Sequence, residues 1–363
     1  MAKDISMTPD QKGEPGWKKA LSLLVRYGLP LALTVLLVWY MFKKVNFTEM
    51  MHLIEHGVNY WWILLAMGIS VFSHVFRAAR WRLQLNALGI KPPFMALCCS
   101  IFGCYALNLV FPRLGEVWRC TYIASSEKAS FTSVLGSMIG DRLSDTLMVG
   151  MLFLLSLVVA YPGIEAFLTK YPVGRDIIGL LSQIWFWAAI IGAVAVCWLL
   201  LRVFRDTAIV KKLKEMLLNM WEGFSVVARM KGRWLFLFYT LCIWGCYYFQ
   251  LYVAFYAFDF TRALCHEPGL AGGLIPCLVT FVLSSIGMAI PSNGGLGPWN
   301  LAVMFGLAIY GVSDAEGTAF SMLQWSGQTV MLIILGIYTM VYISLTSRKK
   351  RADSLSSTLT YKP

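Results

Sequence analysis

Six ionisable residues crowd one region of an otherwise apolar stretch: Arg113, Glu116, Arg119, Asp141, Arg142 and Asp145. On a helix, Arg113, Glu116 and Arg119 (i, i+3, i+6) share a face, as do Asp141 and Asp145 (i, i+4). A charge at membrane depth costs about 2.5–3.5 kcal/mol on insertion scales, so such groups face partners or a water-filled cavity. The six charges cancel, which supports two readings. In one, they lock the region by pairing among themselves. In the other, an arginine grips an anionic phosphate in its planar fork, while the carboxylates position it and relay protons or release the load. Asn108, just before Pro112, suits a freed backbone group or a polar headgroup, with the backbone role favoured. Arg77 and Arg80 share a face at the end of an apolar segment. They read as cations snorkelling to the interface, or as guides for lipid phosphates.

A second constellation is Pro291-Ser292-Asn293-Gly294-Gly295-Leu296-Gly297. Its glycines let backbone N–H groups approach a ligand, and the helix start that follows offers a weak positive dipole for an anion. Asn293, Gly294, Gly295 and Gly297 are therefore candidate substrate contacts, the alternative being a plain flexible turn. No Gly-Lys-Ser/Thr follows, so ATP use is not indicated. His52-Leu53-Ile54-Glu55-His56 matches the H-x-x-E-H pattern of inverted zinc proteases, but no third ligand accompanies it and catalysis is set aside. His74 and His266 read as structural, and Gln250 and Gln324 as cross-helix hydrogen-bonding groups. The nine cysteines contain no C-x-x-C pair, so they read as small apolar packing residues, with Cys265 in an outward loop. No cofactor or metal is signalled, and the chain is not expected to be an enzyme.

The elements that hold these residues are membrane helices. Of the 363 residues, 58% are hydrophobic and only 14% charged, against about 25% charged in soluble domains. That balance excludes a soluble enzyme and a disulfide-rich secreted module. Although the net charge is +12, no solvated basic domain exists to hold nucleic acid. The expected fold is an all-α polytopic membrane protein. A span needs about 20 mostly apolar residues, and full spans are expected at 21–42, 60–77, 143–160, 184–204, 235–258 and 320–345. Two further apolar stretches are broken: 94–111 runs into Pro112–Glu116, with a weakly apolar run 131–140 after it, and 273–290 runs into Pro291–Pro298, with 299–312 after it.

Lys and Arg accumulate on the cytoplasmic side. All but five of the 31 bases (Lys43, Lys44, Lys170, Arg175 and Arg262) group on one side, which places both termini in the cytoplasm. By parity, 94–142 must leave and return on the cytoplasmic face, as a re-entrant hairpin whose return arm is 131–140. Segment 273–312 starts and ends outside, as a hairpin or as two full crossings. The result is about six full spans plus two broken helical hairpins. Its first half, 21–160, and second half, 184–345, match in inverted order, a pattern of secondary transporters. Residues 1–20 form a cytoplasmic N-tail, and the first span is retained rather than cleaved. Residues 206–230 read as a basic amphipathic interfacial helix or an ordinary packed connector, and 346–363 as a basic cytoplasmic tail held by anionic headgroups.

Arg77-Ala78-Ala79-Arg80-Trp81, Asn108 with Pro112-Arg113-Leu114-Gly115-Glu116-Val117-Trp118-Arg119, Asp141-Arg142-Leu143-Ser144-Asp145 and Pro291 through Gly297 together resemble one family. It is the flippase-like family sharing the transmembrane region of bacterial lysylphosphatidylglycerol synthases, the multiple peptide resistance factors. The resemblance covers roughly 21–345 and implies a lipid-translocating module with paired re-entrant segments. Where the family often has Glu-Arg-x-x-Asp, this chain has Asp141-Arg142-Leu143-Ser144-Asp145, which keeps the charge. Full synthases carry a soluble aminoacyl-transfer domain, whereas only about 18 polar residues follow the last span here. The chain is therefore expected to be a stand-alone member that does not make lysyl-lipid. Some relatives accompany cell-surface glycan pathways, which adds isoprenoid phosphates to the candidate substrates.

The expectation is an inner-membrane lipid translocase that moves an anionic phospholipid or isoprenoid-phosphate carrier without ATP hydrolysis. The alternative is a non-transporting subunit that scaffolds a lipid- or glycan-modifying enzyme. Membrane lipids are the expected partners and nucleic acid is not. A homo-oligomer or an association with such an enzyme is compatible with either reading.

Overall fold

A computed structural model describes residues 47–161 and 232–360, with isolated positions between them. Helices form at α1 (Phe47–His56), α2 (Tyr60–Ala87), α3 (Phe94–Val110), α4 (Leu114–Ser126) and α5 (Phe131–Val159). The second stretch holds α6 (Arg233–Phe255), α7 (Asp259–His266), α8 (Leu274–Gly287), α9 (Pro298–Ala308) and α10 (Asp314–Thr360). Among the described residues, four helices are long and apolar enough to cross a membrane: α2, α5, α6 and Asp314–Ser347 of α10. Their outer faces carry Leu64, Phe72, Leu147, Leu154, Phe238 and Ile337, as lipid-facing surfaces must. The architecture is that of an all-α polytopic membrane protein. The expected span 21–42, the amphipathic segment 206–230 and most of span 184–204 lie outside the described residues.

Two expectations need correction. The run 131–140 is not the return arm of a hairpin. It is the first part of the single 29-residue helix α5, which continues through Asp141–Asp145 to Val159. No proline interrupts this stretch, and its charges find partners on other helices, so nothing stops the helix there. Chain reversal occurs instead at Phe111–Arg113, and α4 is the arm that packs back on α3. Span 60–77 likewise runs on to Ala87, which draws Arg77 and Arg80 inside the helix rather than leaving them at its end. Cys265, in the connection between α6 and α8, is buried within the short helix α7.

The first break follows from its residues. Pro112 cannot donate a backbone N–H to a continuing helix, and Arg113 turns the chain at φ 62°, a left-handed conformation rare for a side chain other than glycine. Asn108 Oδ1 then accepts a hydrogen bond from the Gly115 N–H at 2.8 Å, satisfying a donor at the start of α4. Gly115 is required by contact: a Cβ there would run into the Cys104 carbonyl oxygen and come within 2.7 Å of Asn108 Oδ1. Gly115→Ala should cost about 1–3 kcal/mol through overpacking, lowering the melting temperature and yield in detergent. Gly150→Ala, which meets nothing within 4 Å, should leave both unchanged.

The second break repeats the logic with glycine. Gly294, Gly295 and Gly297 adopt φ of 58°, 83° and 89°, and Pro298 opens α9 in the position where a missing N–H costs nothing. Helices α8 and α9 then pack closely, with Gly287 facing the Pro298 carbonyl and Gly306 facing Thr280. Two apolar clusters hold the bundle. One joins α2, α6, α8, α9 and α10 around Phe255, Phe258 and Phe320. The other joins α2, α3, α4 and α5 around Trp81, Leu97, Ile101 and Ile123.

Candidate functional site

The charged residues of α2, α4 and α5 converge. Arg77 Nη1 donates to Asp145 Oδ2 at 2.6 Å and to Asp141 Oδ2 at 3.3 Å. Arg80 reaches Asp141 Oδ1 through Nε and Asp145 Oδ1 through Nη2, each at 2.8 Å. Helix α6 completes the cage: Tyr247 Oη accepts from Arg77 at 3.2 Å and Thr240 Oγ1 from Arg80 at 3.1 Å. Arg77, Arg80, Arg119 and Asp141 are each at most 2% exposed. Arg77 and Asp141 lie ten residues from the ends of their helices, about 15 Å at ~1.5 Å per residue. Snorkelling is therefore excluded for Arg77 and Arg80, which are tied to carboxylates in the interior.

Arg119 is placed differently. Its side chain is fully buried, and Nε, Nη1 and Nη2 make no hydrogen bond. The guanidinium lies over the Trp81 ring at 4.7 Å, a cation–π contact, and Trp81 is fixed by its own bond to Ser137 Oγ at 3.0 Å. The nearest carboxylate oxygen, Asp141 Oδ2, stands 3.7 Å away and already accepts from Arg77. A guanidinium offers five donors in a planar fork. Here no nitrogen of the fork is close enough to an oxygen for a hydrogen bond, and its charge is met by the 3.7 Å ion pair with Asp141 and by the Trp81 ring.

Toward the breaks the cluster opens. Arg142 Nη2 donates to Glu116 Oε1 at 2.9 Å, and Asn108 Nδ2 donates to Glu116 Oε2 at 3.2 Å. The Arg142 side chain is 35% exposed, and Arg113 is exposed at the tip. The cations thus run from exposed Arg113 through half-exposed Arg142 to buried Arg77, Arg80 and Arg119. In the interior set, Arg77, Arg80, Arg119 and Arg142 face Asp141, Asp145 and Glu116, which leaves one positive charge uncompensated among the described residues.

The two breaks touch at this tip. Gly294 N donates to the Asn108 carbonyl at 3.0 Å. Asn293 Nδ2 donates to the Val110 carbonyl at 3.1 Å and Arg113 Nη2 to the Ala289 carbonyl at 3.2 Å. Trp325 of α10 braces the junction through its Nε1–H bond to the Gly294 carbonyl at 2.9 Å. The Pro-Arg turn, the buried Arg–Asp cage and the glycine-rich turn all lie inside one family match. A family model described as lysylphosphatidylglycerol synthase TM region matches residues 28–336. The chain belongs to that family. No curated protein matches it significantly.

Within this member of the lysylphosphatidylglycerol synthase TM-region family, the candidate residues divide by place. Arg77, Arg80, Asp141, Asp145, Arg119, Arg142, Glu116 and Asn108 form one continuous network. Arg113, Asn293 and Gly294 sit at its mouth. Gly295 and Gly297 are buried beyond it, and their backbone serves the turn: the Gly297 N–H is taken by Asn300 Oδ1 at 3.0 Å, and the Gly295 carbonyl by the Trp299 N–H. Asn108 bonds the freed backbone of both breaks, the role favoured from its position. Among the described residues no three His, Cys, Asp or Glu side chains gather as metal ligands would.

Two contributors escape sequence inspection. Thr240 and Tyr247 are neutral residues inside an apolar run, unremarkable by composition, and Trp81, quoted with the Arg77–Arg80 motif, carried no sign of its contact with Arg119. A signal did exist for Thr240 and Tyr247, whose spacing of seven places both on one face of α6, opposite the arginine face of α2.

Proposed function

We propose that this chain is a lipid translocase of the bacterial inner membrane, with both termini cytoplasmic. It moves a lipid bearing an anionic phosphate headgroup, a phospholipid or an isoprenoid-phosphate carrier, without hydrolysing ATP or altering the lipid. The carrying observation is Arg119: a fully buried guanidinium, without a hydrogen-bond acceptor, in a cluster with a surplus positive charge. Leaving a desolvated donor unpaired costs about 1–3 kcal/mol, and more for a charged group. A phosphate oxygen pair matches the fork and cancels the surplus charge.

In this reading the headgroup is met first by Arg113, passed to Arg142 as Glu116 releases it, and held by Arg119, while the acyl or isoprenoid tails stay in the bilayer. The paired breaks act as re-entrant hairpins of an inverted repeat, and their contact at Asn108–Gly294 is the seal that alternates. The Arg77–Arg80–Asp141–Asp145 cage is the rigid floor that orients α2 against α5. A scaffolding subunit would account for that cage equally well, but it gives no reason for an unsatisfied Arg119.

Purified protein in vesicles should equilibrate headgroup-labelled phosphatidylglycerol or a labelled isoprenoid phosphate between leaflets. It should leave labelled phosphatidylcholine, whose headgroup carries no net charge, at the protein-free rate. Folded protein that moves none of the three would favour the scaffold.

A further inference from the structure

His74 lies one turn before Arg77 on α2 and is 2% exposed, yet neither ring nitrogen has a hydrogen-bond partner. Its ring packs 4.6 Å from that of Tyr105 and edge-on to Phe102 at 6.4 Å, measured between centroids. A phenylalanine would fill the same apolar slot without burying a donor and an acceptor. What histidine adds is a ring nitrogen that can take up a proton.

The residue belongs to a polar seam. Ser70, Ser73, His74, Arg77, Arg80 and Gln84 are all buried on α2, a rise of about 21 Å at ~1.5 Å per residue. On one side of His74, Ser73 Oγ donates to the Ser70 carbonyl at 2.6 Å, and Ser70 Oγ accepts from Gln328 of α10 at 2.9 Å. On the other side lies the ionic cluster, with the unpartnered Gln84 amide beyond it. The titratable and charged groups around His74 are Arg77 on its own helix and Tyr105 of α3, with Tyr247 of α6 bonded to Arg77. Arg77 pairs in turn with Asp141 and Asp145 of α5, whose network includes Arg142 of α5 and Glu116 and Arg119 of α4.

Burial of the ring opposes a proton on His74 first, and Coulomb repulsion from Arg77, in a cluster that already holds one positive charge too many, opposes it further. An anionic headgroup on Arg119 or Arg142 removes the surplus. We infer that His74 takes up a proton together with each anionic headgroup, which makes this chain a proton–lipid symporter. The proton adds to the lone pair of the unprotonated ring nitrogen and leaves when the headgroup departs, because the repulsion returns. By linkage, the headgroup raises the proton affinity of His74 by the factor that the proton raises affinity for the headgroup. The inference rests on the translocase reading.

The test uses the full chain in vesicles containing headgroup-labelled phosphatidylglycerol and, in parallel, a labelled isoprenoid phosphate, with an internal pH dye. With acid on the donor side, wild type should move label roughly tenfold faster than without a gradient, within the range typical of coupled sites. Each wave of movement should carry protons inward. His74→Gln and His74→Phe should retain gradient-free exchange but lose both the acceleration and the dye signal. The phenylalanine variant keeps the ring packing on Tyr105. Lipid movement by wild type with no gradient response, or a full response in either variant, would overturn the proton site alone. Absence of any lipid movement by folded wild type would overturn the translocase reading itself.

Discussion

Asp141→Ala is expected to leave little folded protein in the membrane. Asp141 is fully buried and accepts hydrogen bonds from both Arg77 and Arg80, with Arg119 3.7 Å away. Removing one partner of a buried ion pair typically costs about 3–5 kcal/mol, because the stranded charge stays desolvated. Here Arg77 and Arg80 would be left with Asp145 alone and Arg119 would lose its ion-pair partner, so the loss should fall at or above that range. Whole stabilities are only about 5–15 kcal/mol, so the variant should accumulate poorly and elute as aggregate in size-exclusion chromatography. Pairing it with Arg80→Met, which removes a charge bonded directly to Asp141, should restore part of the folded peak. Recovery in the double variant separates an uncompensated charge from simple loss of packing.

Arg119→Met should behave in the opposite way. Methionine keeps the length and the contact with Trp81 while removing a buried cation that makes no hydrogen bond. Folded yield and melting temperature should therefore hold or rise, and lipid movement should fall by at least about tenfold, the equivalent of roughly 1.4 kcal/mol. Were the cluster only a structural lock, Arg119→Met would lower stability as Asp141→Ala does. The two variants thus divide the cluster into a part that holds the helices and a part left for a ligand.

Hydropathy carried much of this architecture, and its failures are local and physical. Span 60–77 was bounded at Arg77 because charges end an apolar window. Yet α2 runs on to Ala87, since Asp141 and Asp145 on another helix neutralise its arginines. The same partners, invisible to a linear reading, made Asp141–Asp145 look like the end of a hairpin arm rather than the middle of α5. The charge sum of zero counted Arg113, which is exposed at the tip, and omitted Arg77 and Arg80, which are inside. With the spatial set, one positive charge remains.

The turns were the most legible elements. Pro112 ends α3 by backbone geometry, and the Gly294–Gly297 run forms the turn that leads into α9, although α8 already ends at Gly287, ahead of Pro291. That the breaks bond to each other through Asn108, Asn293 and Gly294 depends on tertiary packing, and no spacing rule announces it. Arg119 was legible as a candidate from its i+3 relation to Glu116. Its standing as a guanidinium without a hydrogen-bond acceptor was not, because that depends on which neighbours were already committed.

The most direct test of the central claim is transbilayer movement of headgroup-labelled phosphatidylglycerol and of a labelled isoprenoid phosphate in vesicles. Wild type would be compared with Arg119→Met at matched folded protein. The account predicts movement of at least one of these lipids by wild type and its loss in a variant that remains as stable as wild type. Equal rates for the two proteins, or no movement by folded wild type, would contradict it.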